Sequence, residues 1–395
     1  MGQVDRQPIM PKEFRGYALN VAARLESSCP SFILRLLYAS NLSRQAFFAF
    51  AAEIGLDHHD EFLHRLGVHA PDVMSELENL CPYATIARSL VLLKPRRVLE
   101  ALYGSCPAGL LGLFGRFGSS PLYGAETYRL AFELFSRSEH RHRAKVLGQL
   151  PGQIRPEHVT VVASLDDVLV HRAVLERVRR DEVAALNTFV QMIVTLCGAT
   201  PALIRESLDA LPLGTKGVRM TEWAEGWMAR QVRLPFEAPI SASDPDLKLR
   251  LGAELNSLGR RLRNCAANRK SYSFLGERLI YEWVGSGEPA VLELLRLTSA
   301  GDAKWVCEDL RGPRNRQVSP ELATVIQSRL DDYGILYQSL THASDKEQAL
   351  HKLLDHTTPF AWDMRRGEAD DADGDADIDR MLDELEQEVH GQEAA

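Results

Sequence analysis

Three polar side chains that could support hydrolytic chemistry lie in one stretch, from Leu255 to Asn315. Cys265 stands among arginines, and nearby cations favour the nucleophilic thiolate. Asp309 and Asn315 follow in the same stretch and could complete a pocket with it. Free cysteine is also a common apolar filler of protein cores. Because Asn264 precedes the thiol where a histidine would be needed, we interpret Cys265 as a core residue.

A basic cluster in the same stretch could bind phosphate groups. Arginine binds phosphates in bidentate fashion, and an exposed aromatic ring can stack on a base. The alternative is a solvated helix face that pairs with Glu254, Glu277 and the acidic tail. The predicted nucleic-acid-binding residues are Arg260, Arg261, Arg263, Arg269, Lys270, Tyr272, Arg311, Arg314 and Arg316.

The order of motifs in this stretch resembles the PcfJ-like domain of conjugative plasmids and phage-related elements. Gly259 precedes Arg263-Asn264-Cys265, a strand pair follows, and Asp309-Leu310-Arg311-Gly312 leads to Asn315. The resemblance covers residues from Pro235 to Leu330. It implies a cellular setting on a mobile genetic element.

This chain departs from the family pattern at four positions. The family's His, Val, Tyr and Gln fall on Asn264, Ala266, Arg269 and Asp309. If the His or the Gln is catalytic in relatives, the resemblance implies an altered or absent activity here.

The elements that must position these residues are a helix and three short apolar strands. RLIYEWV, AVLELLRL and KWVCEDL are separated by two turns that contain glycine, which predicts an antiparallel meander after a helix. The fold class expected is therefore α+β: a mainly α-helical N-terminal domain, a small antiparallel three-stranded sheet with flanking helices, and an acidic disordered C-terminal tail. The predicted boundaries are 1–233, 234–366 and 367–395, because a Pro-containing polar segment precedes residue 246.

The N-terminal domain carries motifs that we interpret as structural. Cys-Pro occurs at residues 29–30, 81–82 and 106–107, and proline is well tolerated at the first position of a helix. Glycines at 109, 112, 115 and 118 predict either a close helix contact or a partly unwound segment. Two Glu-x-x-His units, Glu61/His64 and Glu139/His142, have the spacing of di-iron ligands, but their charged surroundings favour solvated helix ends.

Charge and cysteine usage limit the class of protein. The six cysteines have no CxxC spacing, and no apolar run is long enough for a membrane span, so we expect a cytoplasmic protein with no metal, cofactor or membrane contact. Residues from Glu368 onward hold twelve carboxylates and one arginine, a net −11 that leaves +3 on the rest of the chain. Within this tail, five apolar residues share one predicted helix face and could dock a protein partner: Ile378, Met381, Leu382, Leu385 and Val389.

Three functions remain open from the sequence. The first is a nucleic-acid-associated accessory protein of a mobile element, phage or anti-phage system, with DNA or RNA bound on the basic cluster. The second is a hydrolytic or nucleolytic enzyme that uses Cys265, Asp309 and Asn315. The third is a protein-interaction scaffold that docks through its acidic tail.

Overall fold

The computed structural model describes residues 14–54, 59–77, 79–212, 219–299 and 302–337. The chain divides into two compact units. The first comprises Met1–Met192 and Ala199–Trp223, and the second comprises Ile193–Gly198 and Ala224–Ala395. The sequence-based boundary at 233/234 thus lies inside the second unit, since the helix before the linker contributes to that unit as well.

The described part of the first unit is helical. Its helices are α1 (Tyr17–Ser28), α2 (Phe32–Tyr38), α3 (Asn41–Glu53), α4 (His59–His69), α5 (Pro71–Leu77), α6 (Pro82–Leu92), α7 (Pro95–Tyr103), α8 (Leu110–Gly115), α9 (Glu126–Ser136), α10 (Arg141–Gln149), α11 (Pro156–Ser164), α12 (Arg172–Leu175), α13 (Val183–Cys197) and α14 (Pro201–Asp209). Helix α15 (Met220–Met228) crosses the boundary between the two units, as does the last turn of α13.

Proline and small polar residues begin several of these helices. Pro82 is the first residue of α6, as the Cys81-Pro82 step predicts. Thr200 caps α14 by accepting a hydrogen bond from the Leu203 amide at 3.3 Å. The other two Cys-Pro steps lie in turns that precede α2 and α8.

Helix α3 forms the centre of the first unit, and two of its polar residues are fully buried. Arg44 donates to the Ser119 carbonyl at 2.8 Å, and Gln45 donates to the Gly118 and Ser120 carbonyls at 2.9 and 2.7 Å. Buried side chains of this kind satisfy backbone carbonyls that water cannot reach. They fix the loop that follows α8.

The second unit contains a five-stranded mixed sheet. Its strands are β1 (Leu247–Arg250), β2 (Arg278–Trp283), β3 (Ala290–Ser299), β4 (Asp302–Arg311) and β5 (Leu336–Tyr337), in that spatial order. The first four are antiparallel, and β5 is parallel to β4. The predicted three-stranded meander is present as β2–β4, but the prediction of a purely antiparallel three-stranded sheet is wrong. Both added strands are too short to leave a pattern in the sequence.

Helices cover both faces of this sheet. On one face, α18 (Pro320–Asp331) packs its apolar residues against the odd-numbered residues of β2, including Tyr281 and Trp283. On the other, α16 (Ala253–Leu262) packs against Ile280 and Val291. A 3₁₀ helix (Cys265–Arg269) and α17 (Lys270–Leu275) follow α16.

Among the described residues, no single helix is long and apolar enough to cross a membrane, and one bent pair passes that test only when its two helices are combined.

Candidate functional site

The turn from α16 into the 3₁₀ helix is shaped by Gly259, Arg263 and Asn264. A Cβ on Gly259 would lie 3.2 Å from the Asn264 carbonyl and 3.3 Å from Ala267, so any side chain here would crowd the chain as it turns back on the helix. Arg263 ends α16 in the left-handed region with φ of 50°. Asn264 then caps the 3₁₀ helix, because its Oδ1 accepts a hydrogen bond from the Ala266 amide at 3.1 Å.

The structure places Cys265 at the surface. All six cysteines are free, and the buried one is Cys307 on β4. The interpretation of Cys265 as a core residue is therefore wrong. The apolar position in this turn is taken by the next residue, Ala266, which packs with α16 against Ile280.

The loop after β4 forms a tight turn through two residues with positive φ. Arg314 and Asn315 have φ of 56° and 54°, a region where asparagine is among the tolerated residues. The Gly312 amide donates to the Arg316 carbonyl at 2.8 Å. The backbones of Arg311 and Gln317 form an isolated antiparallel β-bridge. Asn315 is exposed at the tip of this turn.

Asp309 is already engaged within its own strand. Its Oδ1 accepts hydrogen bonds from Arg311 Nε at 2.7 Å and from the Leu310 amide at 3.0 Å. Among the described residues, no hydrogen bond or ion pair joins Cys265, Asp309 and Asn315 to one another. The proposed catalytic trio therefore gains no specific support from its contacts.

Carboxylates line the face of the sheet beneath α16. The sequence analysis did not predict that they would be buried there. Glu282 on β2 and Glu293 on β3 are 1% and 7% exposed. A β-bulge opposite Glu293 leaves Glu308 without a cross-strand partner and sets Asp309 opposite Glu293. Glu308 and Asp309 are thereby brought to the same face of the sheet as Glu293. The signal in the sequence was glutamate at the same alternating positions as Ile280 and Val291.

Arginines from the helix and the neighbouring strands neutralise these buried carboxylates. Glu282 accepts from Arg250 at 2.9 Å and from Arg261 at 3.0 Å. Burial raises the pKa of Glu282, but hydrogen bonds from Arg261 and Arg250 outweigh it and hold the pKa below its ordinary value of 4.5. The carboxylate is thus ionised and paired at neutral pH.

The second buried carboxylate has the same arrangement. Glu293 accepts from Arg269 at 3.1 Å and from Arg278 at 2.6 Å, and Arg278 also binds Glu308. The guanidinium groups of Arg269 and Arg278 lie 5.9 and 5.4 Å from the centre of the Tyr272 ring. Tyr272 and three members of the predicted basic cluster (Arg261, Arg269 and Arg311) therefore have partners inside the unit.

The remaining five cations of the cluster have no carboxylate partner among the residues that the structure describes. Arg260 and Arg263 lie exposed at the end of α16, Lys270 begins α17, and Arg314 and Arg316 are exposed on the turn after β4. None of these five forms an ion pair with a carboxylate in the described part of the chain. Their charge is directed to solvent.

The whole acidic tail lies outside the described residues. This includes the predicted docking residues Ile378, Met381, Leu382, Leu385 and Val389. Within the described ranges, no group of three His, Cys, Asp or Glu side chains could hold a metal ion.

Comparison with family models, with curated proteins and with solved structures finds no match for this chain.

Proposed function

We propose that the protein binds nucleic acid through Arg260, Arg263, Lys270, Arg314 and Arg316, as an accessory protein of a mobile element, phage or anti-phage system. The observation that supports binding is the division of the basic cluster into paired and unpaired members. Arg261 and Arg269 are held by buried carboxylates, whereas these five cations have no described carboxylate partner. The PcfJ-like resemblance supports the cellular setting.

Phosphate is the ligand chemistry that suits such cations. Contacts between arginine or lysine and phosphate release counterions, so binding of this kind weakens steeply as salt rises. The two arginines on the turn after β4 are held by backbone geometry: Arg314 has positive φ, and the Arg316 carbonyl accepts from the Gly312 amide. A defined turn loses less conformational freedom on binding than a mobile loop would.

A charge-reversal experiment tests this proposal. The double variant Arg260→Glu/Arg263→Glu should bind a fluorescein-labelled 30-nucleotide single strand at least tenfold more weakly than the wild type in fluorescence anisotropy. Loss of two phosphate contacts should also reduce the slope of log K against log salt by about 1.4.

The matched control is Arg24→Glu/Arg88→Glu, which makes the same charge change at two exposed arginines of the first unit. Equal affinity for the wild type and the Arg260/Arg263 variant would rule out this surface. Equal weakening in the control would show that overall charge, and not this surface, governs binding.

A further inference from the structure

A groove of about 630 Å³ opens in the first unit between α8, α9 and α10. This volume lies within the range of about 300–1,000 Å³ that is usual for small-molecule sites. Its lining includes apolar side chains from all three helices or the residues next to them, among them Leu113, Phe135 and Ala144. A ligand seated here would therefore have an apolar or aromatic part.

The polar lining of the groove is positively charged. Arg116, Arg137, Arg141 and Lys145 line it, together with two serines, and no carboxylate does so. Arg116 has a structural role, because its Nε donates to the Gly152 carbonyl at 2.8 Å and its Nη1 to the Gly148 carbonyl at 2.9 Å. These bonds hold the end of α10 against the segment after α8.

The other three cations have no ion-pair partner in the part of the chain that the structure describes. Arg137, Arg141 and Lys145 are exposed, and none forms an ion pair with a described carboxylate, although Glu139 is close in sequence. Arg143, on the same helix but outside the groove, shows the contrast, since it pairs with Asp167 at 2.6 Å. The unpaired positive charge of this region is therefore concentrated along the groove.

We propose that this groove binds a nucleoside polyphosphate, with its base against the apolar lining and its phosphates on Arg137, Arg141 and Lys145. Arg141 and Lys145 are one helical turn apart, about 6 Å along the axis. That length suits a di- or triphosphate, whereas a single-strand site commonly covers about 4–16 nucleotides. This inference does not depend on the proposed function, because it concerns other residues in the other unit.

Two glycines leave the groove open. A Cβ built on Gly112 or on Gly148 would meet no atom within 4 Å, so the backbone of both α8 and α10 borders empty space. Gly109 has a different role: a Cβ there would lie 2.9 Å from the Phe135 ring, so the ring lies directly against the start of α8. A Cβ at Gly112 therefore has room, and a large side chain there would extend into the groove.

The test uses the full-length protein and trinitrophenyl-ATP, whose fluorescence rises in apolar surroundings. We expect saturable binding that ATP displaces. Tripolyphosphate supplies only the phosphates, and adenosine supplies only the nucleoside. Each should therefore displace the probe at least tenfold less effectively than ATP. Displacement by tripolyphosphate as effective as by ATP would overturn the assignment of a nucleoside, and displacement by adenosine as effective as by ATP would overturn the role of the cations.

Two pairs of variants locate the site. Arg137→Glu/Arg141→Glu should weaken probe binding at least tenfold, and the control Arg24→Glu/Arg88→Glu should leave it unchanged. Gly112→Phe should abolish binding by filling the groove, whereas Gly115→Phe, on the same short helix but outside the groove lining, should not. Circular dichroism melting checks that each variant folds.

Binding that survives both Gly112→Phe and the Arg137/Arg141 reversal would place the nucleotide elsewhere and overturn the proposal, as would the absence of probe binding to the wild type. Because oligonucleotide binding is measured separately with the Arg260/Arg263 variant, failure here leaves the proposed function standing, and failure there leaves this groove standing.

Discussion

Asn264 has a structural role that its position in the sequence does not indicate. Its side chain caps the 3₁₀ helix that begins with Cys265. The capped turn also relies on Gly259, which lets that helix approach α16. At this position the residue therefore shapes the backbone, whatever chemistry the neighbouring thiol has.

Loss of this cap should be measurable. Asn264→Ala should lower the free energy of unfolding by about 0.5–2 kcal/mol, because the Ala266 amide loses its acceptor, and Asn264→Asp should retain most of the stability. Urea denaturation followed by circular dichroism gives both values. Asn268→Ala, an exposed position in the same 3₁₀ helix, is the control and should change little. Equal effects at 264 and 268 would remove the capping role.

Cys265 and Cys307, both in the second unit, should react with thiol reagents at very different rates. Cys265 is exposed, whereas burial, followed by the charge of Asp309, raises the pKa of Cys307 to about 12. Cys265→Ser should therefore remove one rapidly reacting thiol from the native protein, as counted with a chromogenic disulfide, and should change the free energy of unfolding by less than about 0.5 kcal/mol. An unchanged count of fast thiols would mean that Cys265 is shielded.

At the scale of elements, the sheet's second face is held by ion pairs as well as by apolar contacts. Glu282 is buried beneath α16 and binds arginines from both β1 and α16, so it ties an edge strand and the covering helix to β2. Removing one partner of a buried pair is costly, because the other charge loses its compensation. Here Arg250 and Arg261 are partly exposed and can reach water, which limits the loss.

Glu282 should make stability depend on pH. A carboxylate whose pKa is lowered in the folded state stabilises the protein above its unfolded pKa, and that stabilisation is lost as the pH falls through the folded pKa. Glu282→Gln should thus lower the free energy of unfolding by about 1–3 kcal/mol at pH 7 and have a smaller effect by pH 3. Urea unfolding at pH 7, 5 and 3 measures this difference.

Glu254→Gln is the matched control for that variant. Glu254 binds the same Arg250 at 3.2 Å, but its side chain is 57% exposed, so its neutralisation should cost little at any of these pH values. A Glu282 variant with the same stability difference at pH 7 and pH 3 would show that the ion pairs do not contribute through charge.

The sequence predicted elements better than it predicted their partners. The apolar runs of β2–β4 and the helix before them were readable because their patterns extend over many residues. β1 was missed because Leu247–Arg250 is short and follows a polar, Pro-containing segment, and β5 spans two residues only. The charged face was missed for another reason: whether Glu282 points inward depends on where α16 packs, and that is a tertiary contact that local periodicity does not contain.

The same limit applies to the basic residues. By type and spacing, Arg260 and Arg261 are equivalent, yet Arg261 is bound to Glu282 whereas Arg260 has no ion-pair partner among the described residues. The segment with Glu139 and His142 was interpreted as a solvated helix end, because the groove that its neighbouring cations border is created by α8, which lies about thirty residues earlier in the chain. Residue type indicated the chemistry, and only packing decided which residues remain available for it.

At the scale of the whole molecule, the charge is divided unequally along the chain. The residues from Glu368 onward carry −11, although the chain as a whole carries −8. A tethered polyanion reaches an effective concentration on the order of millimolar near the body it is attached to. By charge alone, the tail should compete with nucleic acid for the free cations of the second unit.

Deletion of Glu368–Ala395 should therefore strengthen nucleic-acid binding. We expect the truncated protein to bind the labelled single strand more tightly at 100 mM salt and to show a steeper salt dependence, because phosphates then meet cations that the tail no longer screens. The control keeps the length of the tail and replaces its twelve carboxylates by Asn or Gln, which should reproduce the effect of deletion. If the neutral tail behaves like the wild type while deletion strengthens binding, the tail acts by steric occlusion. If both variants bind as the wild type does at equal ionic strength, the tail does not compete for the nucleic-acid surface.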